Sequence, residues 1–214
     1  MASKLEWGDA MKRLEIRERA REYWRTYRFL EDIQAMIGLN NQSAVLDVGC
    51  GIATVLHFVP GKEKIGVDPL GCWYAEVYEY PAPIRVLSGQ GEQLGFPEAR
   101  FDAVFCSNAL DHVSDHLRTL SEIKRVTKAN GYFVLTVEIH PAEHDYARDP
   151  HHPHTFSKKA VRTMLETTGW EILFERETPF LGIKQYSLGG ETKHDVELVI
   201  VAQQEGCISH TSSD

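Results

Sequence analysis

A glycine-rich turn flanked by two carboxylates carries the residue types most suited to chemistry in this chain. Asp47 ends an apolar run, Gly49 and Gly51 follow it, and Asp68 ends a second apolar run further on. Glycine lets the backbone turn sharply and approach a ligand, because no Cβ intervenes. A carboxylate about 20 residues after such a turn can accept hydrogen bonds from both hydroxyls of a ribose. The pattern predicts a site for a nucleoside-bearing cofactor.

Two classes of cofactor compete for that turn. A dinucleotide site favours G-x-G-x-x-G, whose last glycine allows close packing of helix on strand. Thr54 stands at that position here, and Asp47 would repel a pyrophosphate. A ligand with a cationic end would be attracted instead, and S-adenosylmethionine carries both a sulfonium and an ammonium group. The residues therefore favour S-adenosylmethionine, and a nicotinamide-dependent dehydrogenase is a distant alternative.

The run L-D-V-G-C-G at residues 46–51 resembles the first motif of class I S-adenosylmethionine-dependent methyltransferases. Three further segments are similar to that family in the same order, at residues 89–105, 107–113 and 122–132. The resemblance extends over residues 43–203. It implies a Rossmann-like, doubly wound α/β fold with a seven-stranded sheet, mostly parallel and closed by an antiparallel C-terminal strand pair.

The resemblance also implies which residues contact the cofactor. Asp47 and the glycine turn would contact the methionine end, and Asp68 would hold the ribose. Pro69 and Leu70 would pack on the adenine face, and Gln90, Gly91 and Glu92 would lie at the adenine edge. Asn108 would face the reaction centre. Ala53 stands where the family has a third glycine, and Gln90 where it commonly has an aspartate. Glutamine still offers a carbonyl acceptor. The predicted cofactor-binding residues are Asp47, Gly49, Gly51, Asp68, Pro69, Leu70, Gln90, Gly91, Glu92 and Asn108.

Methyl transfer requires a general base only when the acceptor must lose a proton. A neutral histidine suits a hydroxyl or amine acceptor near neutral pH. His112 follows the fourth predicted strand and is the predicted catalytic base. The alternative is a histidine at the start of a helix that only caps or packs.

Histidines are also concentrated after the fifth predicted strand. Of these, His140, His152 and His154 are predicted to face the substrate from a loop stiffened by prolines. A structural loop is one alternative. A metal site is another, because the pairs His112/His116 and His140/His144 have i, i+4 spacing. We predict no bound metal.

Apolar runs and helical periodicity predict the strands and helices that position these residues. Strands are predicted at 44–48, 65–68, 84–88, 103–107, 132–137, 170–176 and 196–202. Helices are predicted at 73–80, 115–127 and 158–168, with Ser157 as an N-cap, and N-terminal helices at 5–37. We expect residues 1–40 to form a helical cap of the same domain, 41–205 the cofactor-binding domain and 206–214 a polar tail.

Composition limits the function further. The 214 residues are 43% hydrophobic and carry a formal charge of −8, which disfavours a large nucleic-acid footprint. We predict no membrane segment, no signal peptide and free cysteines in the cytoplasm. The predicted activity is methylation of an oxygen or nitrogen atom on a small molecule. An RNA or protein methyltransferase and a non-catalytic cofactor-binding scaffold are alternatives, and the oligomeric state is left open.

Overall fold

A computed structural model describes residues 29–139, 154–179 and 196–204. The predicted helices before residue 29, the polar tail and His140, His144 and His152 lie outside the described residues. The elements, in chain order, are α1 (Phe29–Ile37), β1 (Ala44–Val48), a short 3-10 turn (Val55–His57), β2 (Glu63–Asp68), α2 (Gly71–Val77), β3 (Ile84–Ser88), β4 (Phe101–Ser107), α3 (His116–Val126), β5 (Thr127–Ile139), α4 (Lys158–Thr167), β6 (Trp170–Pro179) and β7 (Val196–Gln204).

The seven strands form one sheet in the order β3-β2-β1-β4-β5-β7-β6. Strands β1 to β5 pair in parallel, and β7 is antiparallel to both β5 and β6. The strand order reverses at β1, so a crevice opens at the carboxyl ends of β1 and β4. This architecture confirms the predicted doubly wound sheet with its antiparallel C-terminal pair.

Apolar side chains cover both faces of the sheet, as parallel strands require. One face packs against α3 and α4, with Leu120 and Val161 fully buried in that core. The other face packs against α1 and the short 3-10 turn, with Ile33 and Leu56 buried. We call the second surface the α1 face. Alternation along β1 puts Val45 and Asp47 on the α1 face.

Helix starts are predicted better than helix ends. Asp115 and Ser157 cap α3 and α4, accepting hydrogen bonds from the Arg118 and Ala160 amides. The prediction for α2 was wrong by two to three residues, because the chain becomes extended at Tyr78. Strand β5 also begins earlier than predicted, since Thr127 already pairs with β4. Within the described ranges, no helix combines the length and apolar character needed to cross a bilayer.

Candidate functional site

The glycine turn after β1 is fixed by the end of β2. The amides of Gly49 and Cys50 both donate to the Val67 carbonyl, at 2.8 and 3.2 Å. Gly49 has φ +70°, and a Cβ there would overlap the Cβ of Ala109. Gly51 has φ +51°, and a Cβ there would meet nothing within 4 Å. The turn is therefore closely packed at Gly49 and open at Gly51, as a backbone approached by a ligand should be.

Asp68 connects β2 to the glycine turn through its side chain. Its Oδ2 accepts from the Gly51 amide at 3.1 Å, and its Oδ1 accepts from the Leu70 amide at 2.9 Å. Burial raises the pKa of Asp68, while these two amides and the His112 charge oppose the rise. The carboxylate is thus oriented before any ligand arrives, and each oxygen keeps lone-pair capacity for a hydroxyl donor.

Asp47 is buried at the bottom of the crevice, with 2% of its surface exposed. Its Oδ2 accepts from the Thr54 hydroxyl at 2.6 Å. Its Oδ1 has no hydrogen-bond partner among the residues that the structure describes. Desolvation raises the pKa of Asp47 from 3.8 to about 7, although hydrogen bonds from the Thr54 hydroxyl and the Val55 backbone oppose the rise. A cationic group fits this atom, because it would supply the missing partner and favour the ionised form.

The loop after β3 contains the residues predicted at the adenine edge. Gly91 is buried, and a Cβ there would press on Thr119. Gln90 is exposed and forms an isolated bridge with Gln93. The Glu92 Oε1 accepts from the Ser114 amide at 2.7 Å, so this carboxylate anchors the segment that leads into α3. Pro69 and Leu70, the other predicted adenine neighbours, directly follow Asp68 at the sheet edge; Pro69 is exposed and Leu70 half-buried.

The turn after β4 places Asn108 and His112 at the same end of the sheet. Asn108 has φ +47° and its Nδ2 donates to the Glu197 Oε1 of β7 at 3.0 Å. The His112 side chain is 44% exposed, with its Nε2 3.7 Å from the Asp111 Oδ2. The distance is too long for a hydrogen bond.

His154 lies beside the start of α3. Its Nε2 is 2.9 Å from the Val113 carbonyl oxygen, and its ring centroid is 5.2 Å from that of His116. Burial, followed by the nearby His154, lowers the pKa of His116. Because α3 begins at His116, the i, i+4 spacing does not put His112 on the same helix. No set of three or more potential metal ligands lies close together within the described ranges.

Two residues of this site were missed from the sequence. Thr54, noted only as breaking the dinucleotide pattern, bonds to Asp47 and also caps the short 3-10 turn by accepting from the Leu56 amide. Glu197 is fully buried at the start of β7, against Asn108. Its signal was a charged residue directly before an uninterrupted apolar run. Pairing between residues so far apart in the chain cannot be read from that signal alone.

Comparisons with known proteins agree with this geometry. Residues 46–135 match the family model described as Methyltransferase domain. An uncharacterized methyltransferase of Bacillus subtilis, YcgJ, is 34% identical over 110 residues, covering 46% of this chain and 42% of that protein. A sterol 24-C-methyltransferase of Yarrowia lipolytica is 26% identical over 186 residues, covering 74% and 48% respectively. The chain thus spans less than half the length of these curated relatives.

Solved structures share the fold. The crystal structure of YcgJ from Bacillus subtilis superposes with a TM-score of 0.66 at 20% identity, covering 84% of this chain and 99% of that one. The [4+2]-cyclase SpnF has the same TM-score of 0.66 at 17% identity, covering 84% and 80% respectively. By its motifs, its sheet order and its match to the methyltransferase-domain model over residues 46–135, this chain is similar to class I S-adenosylmethionine-dependent methyltransferases.

Proposed function

We propose that this protein binds S-adenosylmethionine and transfers its methyl group to an oxygen or nitrogen atom of a small molecule. The observation that carries the proposal is the Oδ1 of buried Asp47, which has no hydrogen-bond partner in the described part of the chain and lies beside a backbone turn that is open at Gly51. An ammonium group satisfies this oxygen, whereas a diphosphate would be repelled by it. The sulfonium of the cofactor supplies an activated methyl group, so the protein mainly has to align the two reactants.

Each part of the site has a role in this proposal. Asp47 binds the ammonium, Asp68 accepts from the ribose hydroxyls, and the 90–92 loop borders the adenine. Asn108 lies where the two reactants would meet. His112 accepts a proton from the methyl acceptor, and the Asp111 Oδ2 lies 3.7 Å from its Nε2. His154 borders the acceptor side through its contact with the Val113 carbonyl.

Other activities have specific support. The sterol 24-C-methyltransferase relatives are named for methylation at carbon, so C-methylation of a lipid-like acceptor is the second candidate. The net charge of −8 speaks against RNA as the acceptor, because RNA binding requires many cationic contacts. A cytoplasmic location completes the proposal, in keeping with the free thiols of Cys50, Cys72 and Cys106.

Isothermal titration calorimetry tests cofactor binding directly. S-adenosylmethionine and S-adenosylhomocysteine should each bind with one-to-one stoichiometry, and NAD⁺ should give no heat. Asp68→Asn should weaken binding by about 1–3 kcal/mol, because hydrogen bonds to a charged group are lost. Asp102→Asn is the matched control, since Asp102 accepts from the Ala44 amide at 2.8 Å, at the opposite end of β1. Binding of NAD⁺ alone would refute the proposal.

A further inference from the structure

The α1 face ends in a row of polar side chains beyond the cofactor crevice. Ser107 at the end of β4 pairs in register with Thr136 of β5. Two residues further along β5, Glu138 pairs with Glu197 of β7. Paired residues and residues two apart along a strand share one face of a sheet. These four side chains therefore form one continuous row, here called the polar strip.

Two hydroxyls of the polar strip are withdrawn from water. Thr136 is 2% exposed, and neither its Oγ1 nor the Ser107 Oγ has a hydrogen-bond partner among the described residues. A buried hydroxyl without a partner destabilises the fold, because the hydrogen bonds that it made to water are not replaced. A ligand that hydrogen-bonds to these hydroxyls would remove that destabilisation, so the pair points to a binding site.

Glu197 gives the polar strip an acceptor that is already oriented. The residue is fully buried, and the Asn108 Nδ2 donates to its Oε1 at 3.0 Å. Asn108 is itself held by its own amide, which donates to the Thr136 carbonyl at 2.9 Å. This link from β4 across β5 to β7 fixes the carboxylate relative to the two hydroxyls.

The polar strip continues the cofactor crevice. Asp47 of β1 pairs with Phe105 of β4, two residues before Ser107 on the same face. One strand spacing of about 4.8 Å then separates Ser107 from Thr136. A molecule lying on the strip would thus be next to a ligand held by Asp47, which is the position that a methyl acceptor needs.

We propose that Ser107, Thr136 and Glu197 form a subsite that recognises an O–H or N–H group of the methyl acceptor. The acceptor is accordingly an alcohol or an amine, and a hydrocarbon double bond does not fit this subsite. Carboxylate and hydroxyl oxygens all accept hydrogen bonds, so a ligand that donates one or more is selected. The inference rests on the proposed function, since it takes the cofactor to occupy the Asp47 side.

Ligand-detected NMR on the full chain saturated with S-adenosylhomocysteine tests the subsite. Three probes of equal ring size are titrated separately: cyclohexylamine, cyclohexanol and cyclohexanone, which only accepts hydrogen bonds. We expect the amine or the alcohol to bind about tenfold more tightly than the ketone, the effect of roughly one charge-assisted hydrogen bond. A preference for the amine over the alcohol identifies a nitrogen acceptor, and the reverse identifies an oxygen acceptor.

Substitutions test whether the polar strip causes the preference for the amine or the alcohol. The substitutions Thr136→Val and Glu197→Gln keep the side-chain shape. Each should lower the affinity for the preferred probe by about tenfold. Thr127→Val is the matched control, because Thr127 is an equally buried threonine at the other end of β5, where its hydroxyl bonds to the Ile123 carbonyl at 2.7 Å. That variant should bind the probe like the wild type.

Two results would overturn the subsite. One is equal binding, or no binding, of the three probes to the complex. The other is unchanged affinity in both strip variants when their cofactor-product binding matches the wild type by calorimetry. A failure of the proposed function is distinguishable, because S-adenosylhomocysteine itself would then give no heat with the wild type.

Discussion

At the scale of single residues, Asp47 combines burial with a function that needs charge. Desolvation raises its pKa to about 7, so the carboxyl group holds a proton more tightly in the folded protein than in the unfolded chain. A raised carboxyl pKa contributes stability that is fully present below the unfolded value near 3.8 and is lost as the pH rises through 7. Above that pH, the ionised Asp47 carboxylate therefore destabilises the folded protein, and a bound cation would reduce this destabilisation.

The first prediction is that cofactor binding releases protons near neutral pH. A cation beside Asp47 lowers its pKa, so at pH 6–7 binding should release up to about one proton. Calorimetry in buffers of different ionisation enthalpy measures this number. Asp47→Asn should abolish the release and flatten the fall of unfolding free energy between pH 4 and 7. Proton release that persists in the Asp47→Asn variant would show that a group other than Asp47 loses the proton.

The second prediction concerns His112. With any acceptor that supports turnover and must lose a proton, His112→Asn should lower kcat by about 100-fold, the usual contribution of a general base. The KM for the cofactor should stay unchanged, because this role is played only toward the acceptor. A stopped assay of S-adenosylhomocysteine formation gives both constants. Wild-type kcat in the variant would leave His112 with a packing role only.

At the scale of elements, the turn between β1 and the 3-10 turn contains two glycines that differ in how much room a side chain would have. Gly49 and Gly51 both have positive φ, but only at Gly49 would a Cβ overlap a neighbour, Ala109. Any L residue in this conformation costs about 1–2 kcal/mol. At Gly49, the overlap with Ala109 would lower the free energy of unfolding by about 1–3 kcal/mol more.

The third prediction follows from that contrast. Gly49→Ala should lower the free energy of unfolding by clearly more than Gly51→Ala, as measured by urea denaturation. Gly51→Ala should instead act mainly on cofactor affinity, because its methyl group would enter the open space in front of the turn. Equal stability losses in the two variants would contradict the packing around Ala109.

The elements also show which features of the fold and the site can be predicted from the sequence. The Ser157 cap, the start of α3 near Asp115, the buried parallel strands and the glycine turn depend on neighbours in the chain, and these local patterns predicted them. The bond from Asn108 to Glu197 and the alignment of Ser107 with Thr136 depend on how distant strands pair. Register of that kind is set by tertiary packing, so the polar strip was not predictable from the sequence.

At the scale of the whole molecule, the fourth prediction is stabilisation by mass action. A ligand that binds only the folded state at 100 times its Kd raises the free energy of unfolding by about 2.7 kcal/mol. At pH 8, S-adenosylmethionine should therefore raise Tm, while NAD⁺ and ATP at equal concentration should not, because Asp47 is ionised at that pH and repels phosphates. Differential scanning fluorimetry measures the three shifts. An equal shift with ATP would indicate a nucleotide site of another kind.

The position of β7 governs how the molecule is assembled. This strand lies between β5 and β6, although it follows both in the chain. On the ribosome, β6 therefore has no neighbour in the sheet until residues near 204 have emerged from the exit tunnel. A nascent chain that has emerged only as far as residue 179 would leave both edges of β6 and one edge of β5 unpaired, and unpaired strand edges are templates for aggregation. We therefore expect aggregation during synthesis to be most frequent in the interval before β7 pairs with β5 and β6.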